Sequence, residues 1–356
     1  MPRSPHHARL PAAAPGVALG PCPVVLLALA LAGCAHAPSV ARPEVLYPAP
    51  PAVARARYAD AIPGGAFAPA PPSSLRRLAE AVAGIDAARG PTLFDLPFGL
   101  AAAPGDELVV ADPDRPQVVR LELGRHELRQ VTCAEHAWAA PVAVAAAPGG
   151  VLYVADAGAG VLVRVDADGR CALLGRGELT RPTGVAVLGE RVFAADPPRH
   201  LVVAFSPQGE VLARLGGEDD PTSLLHFPSA LAVTPAGELL VVDTLNFRVA
   251  RYAAGGPAFG QALGGFGSAE PAGGGLVRPK AVAVDAQGRA FVSDAELGVV
   301  VAFDAEGRYL FSLGAPGDGP AELSIPGGLA IRGRFLYVAD GSHRRIQVYE
   351  LLGERS

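Results

Sequence analysis

Six times along the chain a proline opens an apolar strand and an aspartate closes the next one. The prolines are Pro97, Pro141, Pro182, Pro228, Pro279 and Pro326; the aspartates are Asp112, Asp156, Asp196, Asp243, Asp294 and Asp340. Their separations are 15, 15, 14, 15, 15 and 14 residues, a spacing that marks one structural unit repeated six times. Two strands lie between the markers, as in Thr183–Val187 and Val192–Asp196. A short polar loop and a third strand follow, such as Arg345–Tyr349, and then a fourth after an Asp-Gly or Glu-Gly turn, as in Glu306-Gly307 before Arg308–Phe311. Such dipeptides form the tight turns that antiparallel hairpins require. Each unit is therefore a four-stranded meander of about 40–50 residues, the length of a propeller blade.

These sheets are apolar on both faces and need a cover on each. Radial stacking of blades gives that cover and leaves only short edges. With 43 Gly and 35 Pro among Val-rich runs, the composition suits many short strands joined by turns. The expected fold is all-β: a six-bladed β-propeller of four-stranded antiparallel blades over residues 93–352. The last unit runs out after Tyr349-Glu350-Leu351 and lacks a fourth strand. Residues 54–62 have no other partner, so an N-terminal strand is expected to close the ring.

The N-terminus reads as a processing signal. Arg3 and Arg9 precede an almost wholly apolar run, Pro23 to Ala32, which ends in Leu31-Ala32-Gly33-Cys34. That run is about half the length a spanning helix needs. The last four residues resemble the bacterial lipobox, which implies cleavage after residue 33 and lipidation of Cys34. Ala35 follows where an Asp would signal inner-membrane retention, so the resemblance points to the outer membrane. An Ala/Pro-rich segment, 34–53, is expected to be an extended tether. Residues 54–92 hold the closing strand and a short helix over 74–88, capped by Ser73 or Ser74 and ended by Gly90. Losing residues 1–33 removes two of the 30 basic residues and none of the 35 acidic ones, taking the net charge from −5 to −7. An acidic domain with one lysine, Lys280, argues against nucleic acid as a partner. Cys22 leaves with the signal and Cys34 takes the lipid. Cys133 and Cys171 remain, either bridged or as two separate thiols.

The unit pattern, Pro-x-Gly-Val-Ala-Val, then Leu-Tyr-Val-Ala-Asp, then Arg-Ile-Gln-Val-Tyr, resembles the NHL repeat over roughly residues 93–352. The fullest matches are Leu336–Asp340 with Arg345–Tyr349, Leu152–Asp156, and Leu240–Asp243 with Thr244, Asn246 and Arg248. The resemblance implies the propeller fold but no single activity, because such propellers serve as protein platforms, RNA readers, sensors and a few lyases. The family places an Arg five residues after the Asp. Arg248 and Arg345 keep it, while Gln117, Val161, Leu201 and Val299 replace it. That thins the basic face an RNA reader would need.

Because the aspartates recur once per blade, they read as architectural groups that fix turns by accepting backbone N–H bonds. No catalytic constellation, metal ligand set or cofactor motif stands out, since there is no His-x-His, no His-Glu-x-x-His, no hydrolase elbow and no Cys-x-x-Cys-His. His136, His200, His226 and His343 fall in loops sharing one face. His200 and His343 belong to opposite blades. The candidate binding residues are Trp138, His200, Phe227, Phe247, Arg248, Phe266, His343 and Arg345. They stand beside a Gly-rich loop over 264–278 and an acidic one over 216–227 that carries Glu218-Asp219-Asp220. The reading favours a membrane-anchored module that binds another protein of the cell envelope. A metal-assisted lyase or hydrolase, or a small-ligand sensor, at the channel mouth is the alternative.

Overall fold

The computed structural model describes residues 44–64, 93–217, 225–255, 259–268 and 273–353. The signal segment, Cys34, the helix expected over 74–88 and the acidic Glu218-Asp219-Asp220 lie outside them. Six antiparallel sheets form blades 1 to 6, over residues 99–131, 141–174, 184–216, 228–266, 279–313 and 326–351. In blades 1–5 the four strands lie side by side in chain order, innermost first. The structure is thus the six-bladed propeller that the repeat demands.

Blade 6 draws only three strands from its own repeat. Ala56–Pro63 is the fourth, antiparallel to Arg345–Leu351, with Ala56 opposite Leu351 and Pro63 opposite Arg345. The first and last strands of the domain therefore share one sheet, as the missing strand in the sequence requires. The tether differs from its expected form at its described end. Leu46–Tyr47 folds back on Arg57 and Ala56 as a fifth, two-residue strand. The reason is apolar: Val45, Tyr47 and Tyr58 pack on the core between blades 5 and 6. The rings of Tyr47 and Tyr58 each stand 5.9 Å from buried Tyr349.

Strand composition tracks radial position. The second strand of each blade is covered on both sides and reads as an unbroken apolar run; Leu152–Asp156 is buried throughout. The outermost strands face solvent on one side and alternate, as Val211–Gly216 does over its first four residues. Six apolar clusters, one at each blade–blade junction, make up the described core.

The junction between blades 1 and 2 is also covalent. Cys133, just past the outermost strand of blade 1, is disulfide-bonded to Cys171 in the outermost strand of blade 2, with their Cα atoms 5.7 Å apart. The sequence left this pairing open.

At the axis the repeat explains its own small residues. Two positions after each opening proline come Gly99, Ala143, Gly184, Ala230, Ala281 and Gly328. A Cβ on Gly328 would lie 2.2 Å from the Phe98 carbonyl oxygen of blade 1, so the inner strands close the ring only with a minimal side chain there. One residue further on, Leu100, Val144, Val185, Leu231, Val282 and Leu329 are each 6 or 7% exposed and form an aliphatic collar around the channel.

Candidate binding face

The chain arriving at each blade and the loop leaving its second strand meet on one face, joined by the repeating aspartate. All six carboxylates are fully buried. Asp112 accepts from the N–H groups of Asp95, Leu96 and Arg115 at 2.7–3.1 Å. Asp196 accepts from Thr180 and Arg181. Asp294 accepts from Val277, Arg278, Glu296 and Leu297. Asp156, Asp243 and Asp340 bind the residues before their own prolines in the same way. Burial disfavours the charge on Asp156, yet the N–H groups of Ala139, Ala140 and Ala159 and the His136 ring outweigh it and hold its pKa below the usual range. These carboxylates clamp the incoming chain to the blade, as their repetition implies.

The family-type arginines serve the same clamps. Arg248 donates through Nε to Asp243 at 3.0 Å, and Arg345 through Nε to Asp340 at 2.8 Å. Arg345 also donates to the carbonyls of Gly319 and Glu322. Both residues were expected to contact a partner; the geometry uses them to organise loops.

Phe266 does not present itself on this face. It ends the outermost strand of blade 4, Ala262–Phe266, so the strand takes the start of the expected Gly264–Arg278 loop. Its ring is buried, 4.7 Å from that of Phe303. Trp138 is half-buried, donates through Nε1 to the Val131 carbonyl at 2.9 Å and packs edge-on to His136. His136 bonds Asp156 at 2.8 Å and borders a polar recess of about 280 Å³ that also meets Arg176 and Thr180. His200 accepts at Nδ1 from the Phe227 N–H, with its ring 5.0 Å from that of His226. The structure pairs these two imidazoles within neighbouring blades. Among the described residues no group of three or more potential metal ligands occurs.

His343 lies between Asp340 and Asp318, 2.8 Å from each carboxylate. Burial and Arg345 disfavour its charge, but the two carboxylates prevail and raise its pKa above the usual 6.5 or so. A raised folded-state value means that protonation stabilises the fold. The gain is fully present below about pH 6.5 and is lost as pH rises through the raised value. Urea unfolding of His343→Gln across pH 5–9 should therefore show a deficit that is largest in acid and shrinks in alkali. A pH-independent deficit would contradict this.

One feature of the loops went unseen in the sequence. Four residues after the aspartate the backbone turns left-handed in five blades. Blades 2 and 5 use Gly160 and Gly298 there, with φ of 67° and 64°. Blades 3, 4 and 6 instead hold His200, Phe247 and Arg344, with φ of 53°, 55° and 53°. A side chain in that region costs roughly 1–2 kcal/mol. Phe227 in blade 4 adds a fourth such residue on the face, with φ of 70°. Phe227, Leu245 and Phe247 are all exposed, and hydrogen bonds from Thr244 to the Phe227 carbonyl and from Leu245 to the His226 carbonyl zip their loops into one apolar ledge. Ile325 is half-exposed just ahead of blade 6. Aligning the repeats at the fourth position after Asp would have exposed this substitution pattern.

Arg344 is exposed, so replacing it by Gly relieves strain at little cost in contacts. Allowing for the extra freedom of Gly in the unfolded chain, Arg344→Gly should raise unfolding free energy by roughly 0.5–1 kcal/mol in urea titration. A loss of stability would show that the arginine side chain is structural.

Fold and face together define a six-bladed β-propeller with strained, side-chain-bearing loops around its channel mouth. The chain matches no known family model, and no curated protein resembles it closely in sequence. Its architecture is shared with solved propellers. A gluconolactonase from Xanthomonas campestris superposes with a TM-score of 0.58 at 20% identity, covering 83% of this chain and 98% of that one. Virginiamycin B lyase from Staphylococcus aureus gives 0.54 at 13%, covering 71% and 80%. A protein of unknown function from Bacteroides thetaiotaomicron gives 0.57 at 16%, covering 73% and 70%. At these identities the likeness is one of fold.

Proposed function

We propose that this chain is an NHL-type propeller lipoprotein, anchored through Cys34 in the cell envelope, that binds another envelope protein with its strained loop face. The observation that carries the reading is the left-handed trio His200, Phe247 and Arg344. Two blades solve the same turn with glycine, so the fold itself does not ask for these side chains. Backbone strain retained where a relaxed alternative exists is a mark of functional surfaces. The neighbouring ledge of Phe227, Leu245 and Phe247 is an exposed apolar patch with two aromatic rings, a composition enriched at interfaces. The Cys133–Cys171 bridge fits an oxidising compartment outside the cytosol.

An enzymatic reading, as hydrolase or lyase, is supported by the named activities of the gluconolactonase and lyase neighbours and by the His136–Asp156 pair beside its recess.

The test is a photo-crosslinking residue at position 245, compared with one at exposed Glu190 in a turn on the opposite face, in membranes that carry the anchored chain. A single adduct from 245 and none from 190, lost from the membrane fraction in Cys34→Ala, supports the proposal. Equal labelling from both positions, or none from 245, overturns it.

A further inference from the structure

We propose that the channel mouth holds a small organic carboxylate, its charge on Lys280 and its apolar tail against the aliphatic collar. The inference stands apart from the protein-binding reading, because it concerns the axis and not the loop ledge.

Lys280 follows the opening proline of blade 5. At the same place the other blades carry Phe98, Val142, Thr183, Ser229 and Gly327. The blade frame therefore does not call for a cation there, and the chain has no other lysine. The side chain lines a small cavity of about 80 Å³ on the axis, together with Phe98, Val142, Thr183 and the collar. Among the described residues its ammonium makes no hydrogen bond or ion pair. Asp294, the acid whose charge acts on it, is committed to four backbone N–H groups. The hydroxyls around the mouth are committed too: Thr183 donates to the Ser229 carbonyl, and Ser229 pairs with Thr244, which donates to the Pro279 carbonyl. Burial and the neighbouring Arg278 together lower the Lys280 pKa, against the pull of Asp294.

A half-buried cation beside an apolar ring, offset only by an Asp294 carboxylate whose hydrogen bonds are already committed, favours an anion that can accept its hydrogen bonds. The collar selects the rest of the ligand. Six branched side chains close the floor, so the tail must be apolar and short. A carboxylate satisfies both demands, whereas inorganic phosphate brings oxygens that the collar would leave without donors.

Because there is one lysine, selective labelling with 13C,15N-lysine gives a single side-chain spin system to follow. The probe is sodium propionate, with inorganic phosphate as comparison, titrated into the lipid-free soluble chain. Propionate should shift the lysine signal saturably, phosphate should not, and Lys280→Met should weaken propionate binding by at least about tenfold in calorimetry, the scale of one charge-assisted hydrogen bond. No saturable shift with propionate, or a shift equal to that given by phosphate, overturns the proposal. So does undiminished binding in a folded Lys280→Met.

Discussion

Deleting residues 56–63 should remove on the order of 5 kcal/mol or more from the propeller, enough to leave much of it unfolded or aggregated at physiological temperature. The strand Ala56–Pro63 has no substitute, because no other strand of the sheet pairs with the outer side of Arg345–Leu351. Its loss strips the ladder from Arg345–Leu351 and uncovers Tyr349, which is fully buried and touched by both Tyr47 and Tyr58. It also opens an unpaired sheet edge, the kind of surface that recruits other chains. Thermal unfolding by circular dichroism reads the effect. An unchanged midpoint would mean that the ring closes without this strand. Substitutions within it should do less; Tyr58→Ser trims one aromatic contact and keeps the ladder.

The second large effect is expected at the bridge between blades 1 and 2. Cys133 and Cys171 are 38 residues apart, and freeing a loop of that length costs roughly 2–4 kcal/mol through the entropy regained by the unfolded chain. For a domain of this size that is a fall of roughly 3–6 °C in midpoint for a Cys133→Ser/Cys171→Ser pair. The effect reaches the loop face as well. Cys133 accepts from the His136 N–H, and His136 bonds Asp156, the clamp of blade 2. Reduction of the wild-type protein should reproduce the double mutant's midpoint; identical midpoints for reduced and oxidised wild type would show that the bridge contributes nothing.

What could be read from the sequence follows from what the fold repeats. A residue required once per blade appears six times, so the prolines and the clamping aspartates are visible without coordinates. The closing strand was legible for the converse reason, since a unit that stops early leaves a vacancy and Ala56–Pro63 fills it. Features that occur once resist such reading. Gly264 and Gly265 made the outermost strand of blade 4 look like a loop, and Phe266 was assigned to the surface with them. In fact a Cβ on Gly265 would sit 2.7 Å from the Val249 carbonyl oxygen, so glycine is what lets the strand pair there. The channel lysine was counted only as charge, because a sequence does not say which side of the inner strand faces the axis. Arg345 keeps the Arg spacing of the repeat and was read as a binding residue; the structure places it in the Asp340 clamp and leaves its neighbour Arg344 on the exposed turn.

If the strained side chains are kept for binding, relaxing one of them should separate stability from recognition. Arg344→Gly puts that in one experiment, by measuring unfolding free energy and adduct yield from the cross-linker at position 245 on the same preparation. The prediction is that stability rises by roughly 0.5–1 kcal/mol while adduct yield falls, so that relaxing the turn improves the fold and harms recognition. Undiminished adduct formation from the more stable variant would contradict the central claim.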